Sequence, residues 1–180
     1  MTRPSKPSAA KVVTLEALLE RLRPLRKAGL RVVFTNGCYD LLHAGHLHLL
    51  ESAASLGEVL VLGLNDDASV ARLKGPGRPL IPFPERARLL GGLEVVDFVV
   101  GFAEDTPAEI IAAIRPDVLV KGGDWAPDRI VGRETVESGG GRVVTVPLHA
   151  GRSTSSLLEK IRGGGRSGEP GTPPPSPQAG

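Results

Sequence analysis

The apolar positions of this chain alternate between helical spacing and short, β-branched runs. Leu15, Leu18, Leu19 and Leu22 form a helical stripe behind Thr14, a good N-cap. A helix is predicted from there to about Ala28, bent or shortened at Pro24 and ended by Gly29. Arg31 to Thr35 (R-V-V-F-T) reads as the first strand, followed by a helix from about Gly45 to Leu56. Glu58 to Leu64 is the second strand, with a short helix from Asp66 to Leu73. The stretch from Lys74 to Pro84 holds four prolines and two glycines and cannot be regular. Glu85 to Leu93 reads as helix, Asp97 to Gly101 as the third strand, and Pro107 opens a helix to Ile114. Asp117 to Lys121 is the fourth strand, Asp128 to Ser138 helical, Arg142 to Val146 the fifth strand, and Ser153 to Ile161 a closing helix.

Five short apolar strands separated by helices predict an α/β fold: a doubly wound, five-stranded parallel sheet, covered on both faces, with right-handed crossovers. The polar, Pro- and Ser-containing stretch 1–11 is expected to be a flexible N-terminus. The tail 163–180, G-G-G-R-S-G-E-P-G-T-P-P-P-S-P-Q-A-G, has almost nothing to bury and is expected to be disordered. One folded unit, 12–162, lies between them.

Composition narrows the function classes. Of 180 residues, 41% are hydrophobic and 23% charged, the mix of a globular domain with a real core. A net charge of +2 with only 3% aromatics gives no footprint for nucleic acid. No apolar run approaches a membrane span, and no apolar signal segment follows Met1. The single cysteine, Cys38, rules out a disulfide framework and fits a reducing compartment, so the expected location is the cytoplasm.

In a doubly wound sheet, ligands bind beyond the carboxyl ends of the strands. Four such ends carry polar, Gly-rich segments. The first is Asn36-Gly37-Cys38-Tyr39-Asp40-Leu41-Leu42-His43-Ala44-Gly45-His46. The others are Asn65-Asp66-Asp67, Lys121-Gly122-Gly123-Asp124-Trp125 and Gly151-Arg152-Ser153-Thr154-Ser155-Ser156. His43 and His46 lie three apart at a helix start, on one face. Imidazole N–H donors beside free amides and the positive helix end form an anion site, and Gly45 lets a phosphate approach closely. The helix end should keep both rings neutral. Such a site suits a phosphorus centre that gains charge in a transfer step. Alternatives for the bare H-x-G-H are two satisfied structural histidines, or a zinc site lacking a convincing third and fourth ligand. A dinucleotide fold fails because the first turn lacks G-x-G-x-x-G.

Thr35 to His46 (T-N-G-C-Y-D-L-L-H-A-G-H) resembles the signature of the H-x-G-H nucleotidyltransferase superfamily. Leu64 to Pro79, Arg115 to Trp125 and Gly151 to Ser155 extend the likeness. Together they resemble the D-glycero-β-D-manno-heptose 1-phosphate adenylyltransferase family, the nucleotidyl-transferring half of a bifunctional ADP-heptose synthesis protein. The resemblance implies a Rossmann-like nucleotidyltransferase fold. It implies in-line attack of a sugar 1-phosphate on the α-phosphate of ATP, with release of pyrophosphate and no covalent intermediate. Mg²⁺ would accompany the triphosphate. His43 and His46 would stabilise the α-phosphate, and Lys74 would close over substrate phosphates on a flexible loop. Asn36, Gly37, Cys38 and Tyr39 would line the nucleotide site, and Ser153, Thr154 and Ser155 would hold phosphates. A homodimer and a separate sugar kinase upstream are the expected partners. Cytidylyltransferase relatives carry an arginine where this chain has Leu148, which weighs against CTP.

Other residues are read with their competing roles. Lys121, Gly122 and Asp124 are candidates for the nucleotide. Asn65 and Asp66 are candidates for sugar hydroxyls, although Asp66 is equally a helix N-cap. Arg86 is a candidate for substrate phosphates or a surface salt bridge. Asp40 reads as structural, Trp125 as a base-stacking or sheet-covering residue, and Cys38 as no nucleophile. Two further readings stand beside the first: a cytidylyltransferase for glycerol 3-phosphate or a similar alcohol phosphate, and a nucleotide-binding regulator without turnover.

Overall fold

The computed structural model describes residues 7–123 and 129–147. The elements are α1 (Ser8–Lys11), β1 (Val12–Val13), α2 (Leu15–Lys27), β2 (Val32–Gly37), α3 (Ala44–Ala54), β3 (Val59–Asn65) and α4 (Asp67–Lys74). They continue as α5 (Phe83–Gly92), β4 (Phe98–Phe102), α6 (Ala108–Ile114), β5 (Val118–Gly122), α7 (Arg133–Ser138) and β6 (Arg142–Val146). The strands form one sheet in the order β1-β4-β3-β2-β5-β6, and every pairing is parallel.

The sheet has six strands, not the expected five. Val12 and Val13 pair with Val99 and Val100 at the edge. The turn of helix before them, Ser8–Lys11, belongs to the fold and not to a loose terminus. Lys11 Nζ donates to the carbonyl of Leu93 at 2.9 Å. Ser8 O also lies so near Gly91 that a Cβ there would be 2.7 Å away. Thr14 caps α2 as its chemistry predicts, accepting from Ala17 N–H. That helix runs through Pro24 to Lys27 without being shortened. The expected closing helix, Ser153 to Ile161, and the tail 163–180 lie outside the described residues.

Alternation along β2 divides the core into two layers. Val32 and Phe34 face α2, α6 and α7, packing with Leu18, Leu22, Ile111, Ile114 and Val136. Val33 faces α3 and α5, with Leu49, Leu50, Ala53 and Leu90. Both central strands therefore read as near-continuous apolar runs. The chain order reverses between β2 and β5, and the crevice of a doubly wound sheet opens at the carboxyl ends of those strands.

The opposite rim is closed by carboxylates. Asp117 Oδ2 accepts from Val32 N–H at 2.7 Å, and Asp97 Oδ2 from Leu60 N–H at 2.9 Å. Glu58 Oε2 accepts from Arg31 N–H at 2.8 Å. The Arg31 guanidinium, hydrogen-bonded to the same carboxylate, holds the Glu58 carboxyl down at about 2. These bonds satisfy strand N–H groups where the ladder begins. No helix among the described residues is long and apolar enough to cross a membrane.

Candidate active site

The segment between β2 and α3 carries the two candidate histidines. His43 is the N-cap of α3, with φ −144° and ψ 169°, and its Nδ1 accepts from Gly45 N–H at 3.1 Å. A nitrogen that accepts carries no proton, so the neutral ring is protonated on Nε2 and can donate. His46 stacks on His43, ring centroids 3.8 Å apart and planes 20° apart. Burial, and then the neighbouring His43, push the His46 pKa down to about 4, against a backbone contact with Leu41. His46 is therefore neutral at pH 7, in agreement with the expectation. The first-turn amides are less available than expected. Gly45 N–H is used by His43 Nδ1, and His46 N–H bonds to His43 O at 2.9 Å. What the helix start offers an anion is chiefly imidazole N–H and the helix dipole.

This predicts a measurable pH response. His46 is lowered on folding from 6.5 to about 4. Between those values the unfolded chain binds more protons, so stability falls as pH falls from about 6.5 to about 4 and levels off below. Imidazole NMR should show His46 neutral at pH 6, and His46→Asn should flatten that part of the stability profile. A His46 titration midpoint above 6 would contradict the assignment.

Gly37 and Tyr39 shape the turn. A Cβ on Gly37 would lie 3.0 Å from Tyr39 Cε2, so the ring needs glycine beneath it. Tyr39 takes φ 46°, is buried, and has its ring centroid 5.0 Å from that of His46. It reaches the site as a wall behind His46. Cys38 is half-buried, and burial raises its thiol pKa, which keeps it protonated and unsuited to nucleophilic attack. The charges of Lys74, Arg86 and Arg78 all act on that thiol, with Asp40 the one opposing carboxylate. Two of these cations are paired, Arg78 with Asp40 and Arg86 with Asp67, and Lys74 is exposed.

Lys74 is the last residue of α4, exposed on a helix end, where a flexible loop was expected. Asp66 is the N-cap of that helix, its Oδ1 accepting from Ser69 N–H at 2.7 Å. Asn65 is buried, and its Nδ2 donates to Ser69 Oγ at 2.9 Å. Arg86 departs most from its reading. It is only 1% exposed, and its guanidinium is committed within the protein. Nε donates to Ile81 O at 2.9 Å, Nη1 to Cys38 O and Asn65 O, and Nη2 to Asp67 Oδ1 at 2.7 Å. It is neither a surface salt bridge nor free to grip a phosphate. Asp40, also buried, has the structural role expected of it: its Oδ1 accepts from Leu80 N–H and Ile81 N–H.

Across the tip of β2, Lys121 Nζ donates to Asn36 Oδ1. Burial lowers the Lys121 pKa to about 8. Gly122 ends β5 beside them. A hollow of about 170 Å³ adjoins Lys121, walled by Thr106, Pro107, Arg129 and Ile130. Volume alone would point elsewhere, because a hollow of about 510 Å³ runs along α7. None of the residues gathered at the strand tips lines it, so the chemistry favours the smaller space.

With this geometry in view, comparison with known proteins decides the family. A model of the cytidylyltransferase-like family matches residues 34–144, more than half of the chain. The chain belongs to that family. Its class is therefore that of a nucleotidyltransferase. This cytidylyltransferase-like chain is 54% identical over 152 residues to the bifunctional protein HldE of Syntrophotalea carbinolica, covering 84% of the chain and 31% of that protein. It is 54% identical over 157 residues to HldE of Geotalea uraniireducens, covering 87% and 32%. It thus spans about a third of the length of these curated relatives. Among solved structures, it is similar to a lipopolysaccharide core biosynthesis protein from Thermoplasma volcanium. The TM-score is 0.55 at 28% identity, over 67% of this chain and 97% of the other.

In this cytidylyltransferase-like fold, Asn36, Cys38, His43, His46, Lys121 and Gly122 gather at the carboxyl ends of β2 and β5, with Gly37, Tyr39 and Gly45 shaping the turn. Lys74 approaches from α4. Asn65, Asp66 and Arg86 are turned to internal bonds. Asp124, Trp125, Leu148, Ser153, Thr154 and Ser155 lie outside the described residues. Reading the sequence missed Asp67 and Arg78, the partners of Arg86 and Asp40. Nothing in their spacing marks them, since burial and pairing are decided by the fold.

Proposed function

We propose that the chain transfers AMP from ATP to a sugar 1-phosphate, D-glycero-β-D-manno-heptose 1-phosphate, giving ADP-heptose and pyrophosphate. The observation that carries this reading is the stacked His43–His46 pair at the start of α3, with His46 neutral, on the turn whose Cys38 feels the charge of Lys74. Neutral N–H donors held in place strengthen their bonds as charge builds on the α-phosphate, without the desolvation cost of buried cations. The sugar phosphate oxygen attacks phosphorus as the bond to pyrophosphate breaks, and Lys74 meets the charge on the departing oxygens. Lys121 and Asn36, on the other side of the β2 tip, are suited to the nucleoside. ATP as the donor is supported by Leu148 and by the likeness to HldE. The hydroxyls of Ser153, Thr154 and Ser155 belong to the phosphate site in this reading.

Mg²⁺ would enter with the triphosphate and neutralise part of its charge. A cytoplasmic reaction, fed by a sugar kinase and carried out by a homodimer, completes the reading.

The test is a grid of nucleoside triphosphates against phosphorylated acceptors, read by pyrophosphate release. ATP with the heptose 1-phosphate should be the preferred pair. Clear preference for CTP with glycerol 3-phosphate would transfer the chain to the cytidylyl reading that the family's name suggests. Binding of ATP without release on any acceptor would indicate a regulator.

A further inference from the structure

The segment bearing Lys74 is fastened at both ends to the machinery around it. Upstream, Asp67 opens α4 and its Oδ1 accepts from both Arg86 Nη2 at 2.7 Å and Phe83 N–H at 2.8 Å. Downstream, the Ile81 peptide is gripped on both sides. Its N–H donates to Asp40 Oδ1 at 3.0 Å, and its carbonyl accepts from Arg86 Nε at 2.9 Å. Leu80 N–H donates to the same Asp40 oxygen at 2.7 Å. Arg78 Nε lies 2.6 Å from Asp40 Oδ2, an ion pair not aligned as a hydrogen bond. Asp40 stands three residues before His43, and Arg86 also holds Cys38 O in the same turn.

Between these anchors, Lys74 is followed by Gly75 and Gly77, with φ of 89° and 79°. A Cβ on either would meet nothing within 4 Å. Glycine thus lets the chain turn sharply just after Lys74, while residues on either side are tied down. Two buried charged side chains spent on fastening a surface loop are costly unless the placement matters.

We infer that Asp40 and Arg86 are positioning residues for the transfer step, tying the Lys74 segment to the His43–His46 turn so that the lysine reaches the phosphates from a fixed base. This rests on the nucleotidyl-transfer reading above. Each acts through another group: Asp40 through the loop amides, Arg86 through carbonyls and Asp67. Neither is placed to touch substrate.

Asp40→Asn is the informative variant. It keeps the shape and an accepting oxygen but removes the charge that strengthens the two N–H bonds and pairs with Arg78. Arg86→Lys keeps charge but cannot satisfy three carbonyls and Asp67 together. If it fails to fold, Asp40→Asn decides. The experiment is a double-mutant cycle of Asp40→Asn with Lys74→Ala, using ATP and the heptose 1-phosphate. Pyrophosphate release is measured at saturation, with amide exchange at Leu80 and Ile81. Asp40→Asn should speed exchange at both amides and lower kcat roughly tenfold with KM for ATP little changed. In the Lys74→Ala background it should cost less than about twofold more, because its effect runs through that lysine. Losses that multiply fully, or an unchanged kcat, would overturn the inference. A wild-type chain that releases no pyrophosphate would sink the transfer reading instead. In that event unaltered exchange at Leu80 and Ile81 overturns the tether, and faster exchange sustains it.

Discussion

His46→Ala is expected to lower turnover by on the order of 10²-fold or more, with ATP affinity changed far less. The argument rests on the state of the ring. Burial and the stacked His43 keep it neutral at working pH, so under the proposed transfer it would meet the α-phosphate as a polarised N–H in a partly dry setting. A donor of that kind is stronger to the transition state, where the phosphoryl oxygens carry more charge, than to bound ATP. Its loss should therefore appear in kcat. Tyr39 and His43 would keep their own anchors, Gly37 beneath the one and Gly45 N–H on the other, so the turn should survive the truncation. His46→Gln, which restores an N–H, should recover part of the rate. Pyrophosphate release measured with saturating substrates decides the matter: a rate equal to the wild type would exclude His46 from the chemistry.

The second large effect concerns stability. Phe34→Ala is expected to cost about 3–5 kcal/mol in urea unfolding. Phe34 is fully buried in the middle of β2 and packs in the layer with Leu22, Ile111 and Ile114. Its ring lies across Gly63 of β3, where a Cβ would come within 2.6 Å of Cζ. Gly63→Ala alone should therefore destabilise by about 1–3 kcal/mol through overpacking. Combined with Phe34→Ala, that penalty should largely vanish, because the atom it strikes is gone. Full additivity of the two losses would show that the contact does not set the strand spacing.

Most of the fold could be read from the chain because its strands are apolar on both faces and its helices carry their own caps. Thr14 and Asp66 announce helix starts chemically, and both act as caps in the structure. The edge strand β1 escaped because two valines between a polar terminus and Thr14 have no periodicity to read. The strand order is likewise absent from local pattern, since it depends on which crossover packs where. At the candidate site, the spacing of His43 and His46 on a helix start was enough to foresee their proximity, whereas the neutrality of His46, expected from the helix end, comes from burial and the neighbouring His43. Arg86 was the opposite case. Its charge suggested a reach toward solvent phosphate, whereas three carbonyls converging from separate segments drew it inside. Such convergence is a property of the assembled sheet and has no local signature.

The carboxylates of Glu58, Asp97 and Asp117 sit at the rim where the strands begin, a strand's length from the histidines that follow the far end of β2. Evolution thus has two separate workbenches on one sheet. Changes at the lower bench should alter how hot the protein can run without touching the histidine turn, so a heat-tolerant form could be sought there while the chemistry above is left alone.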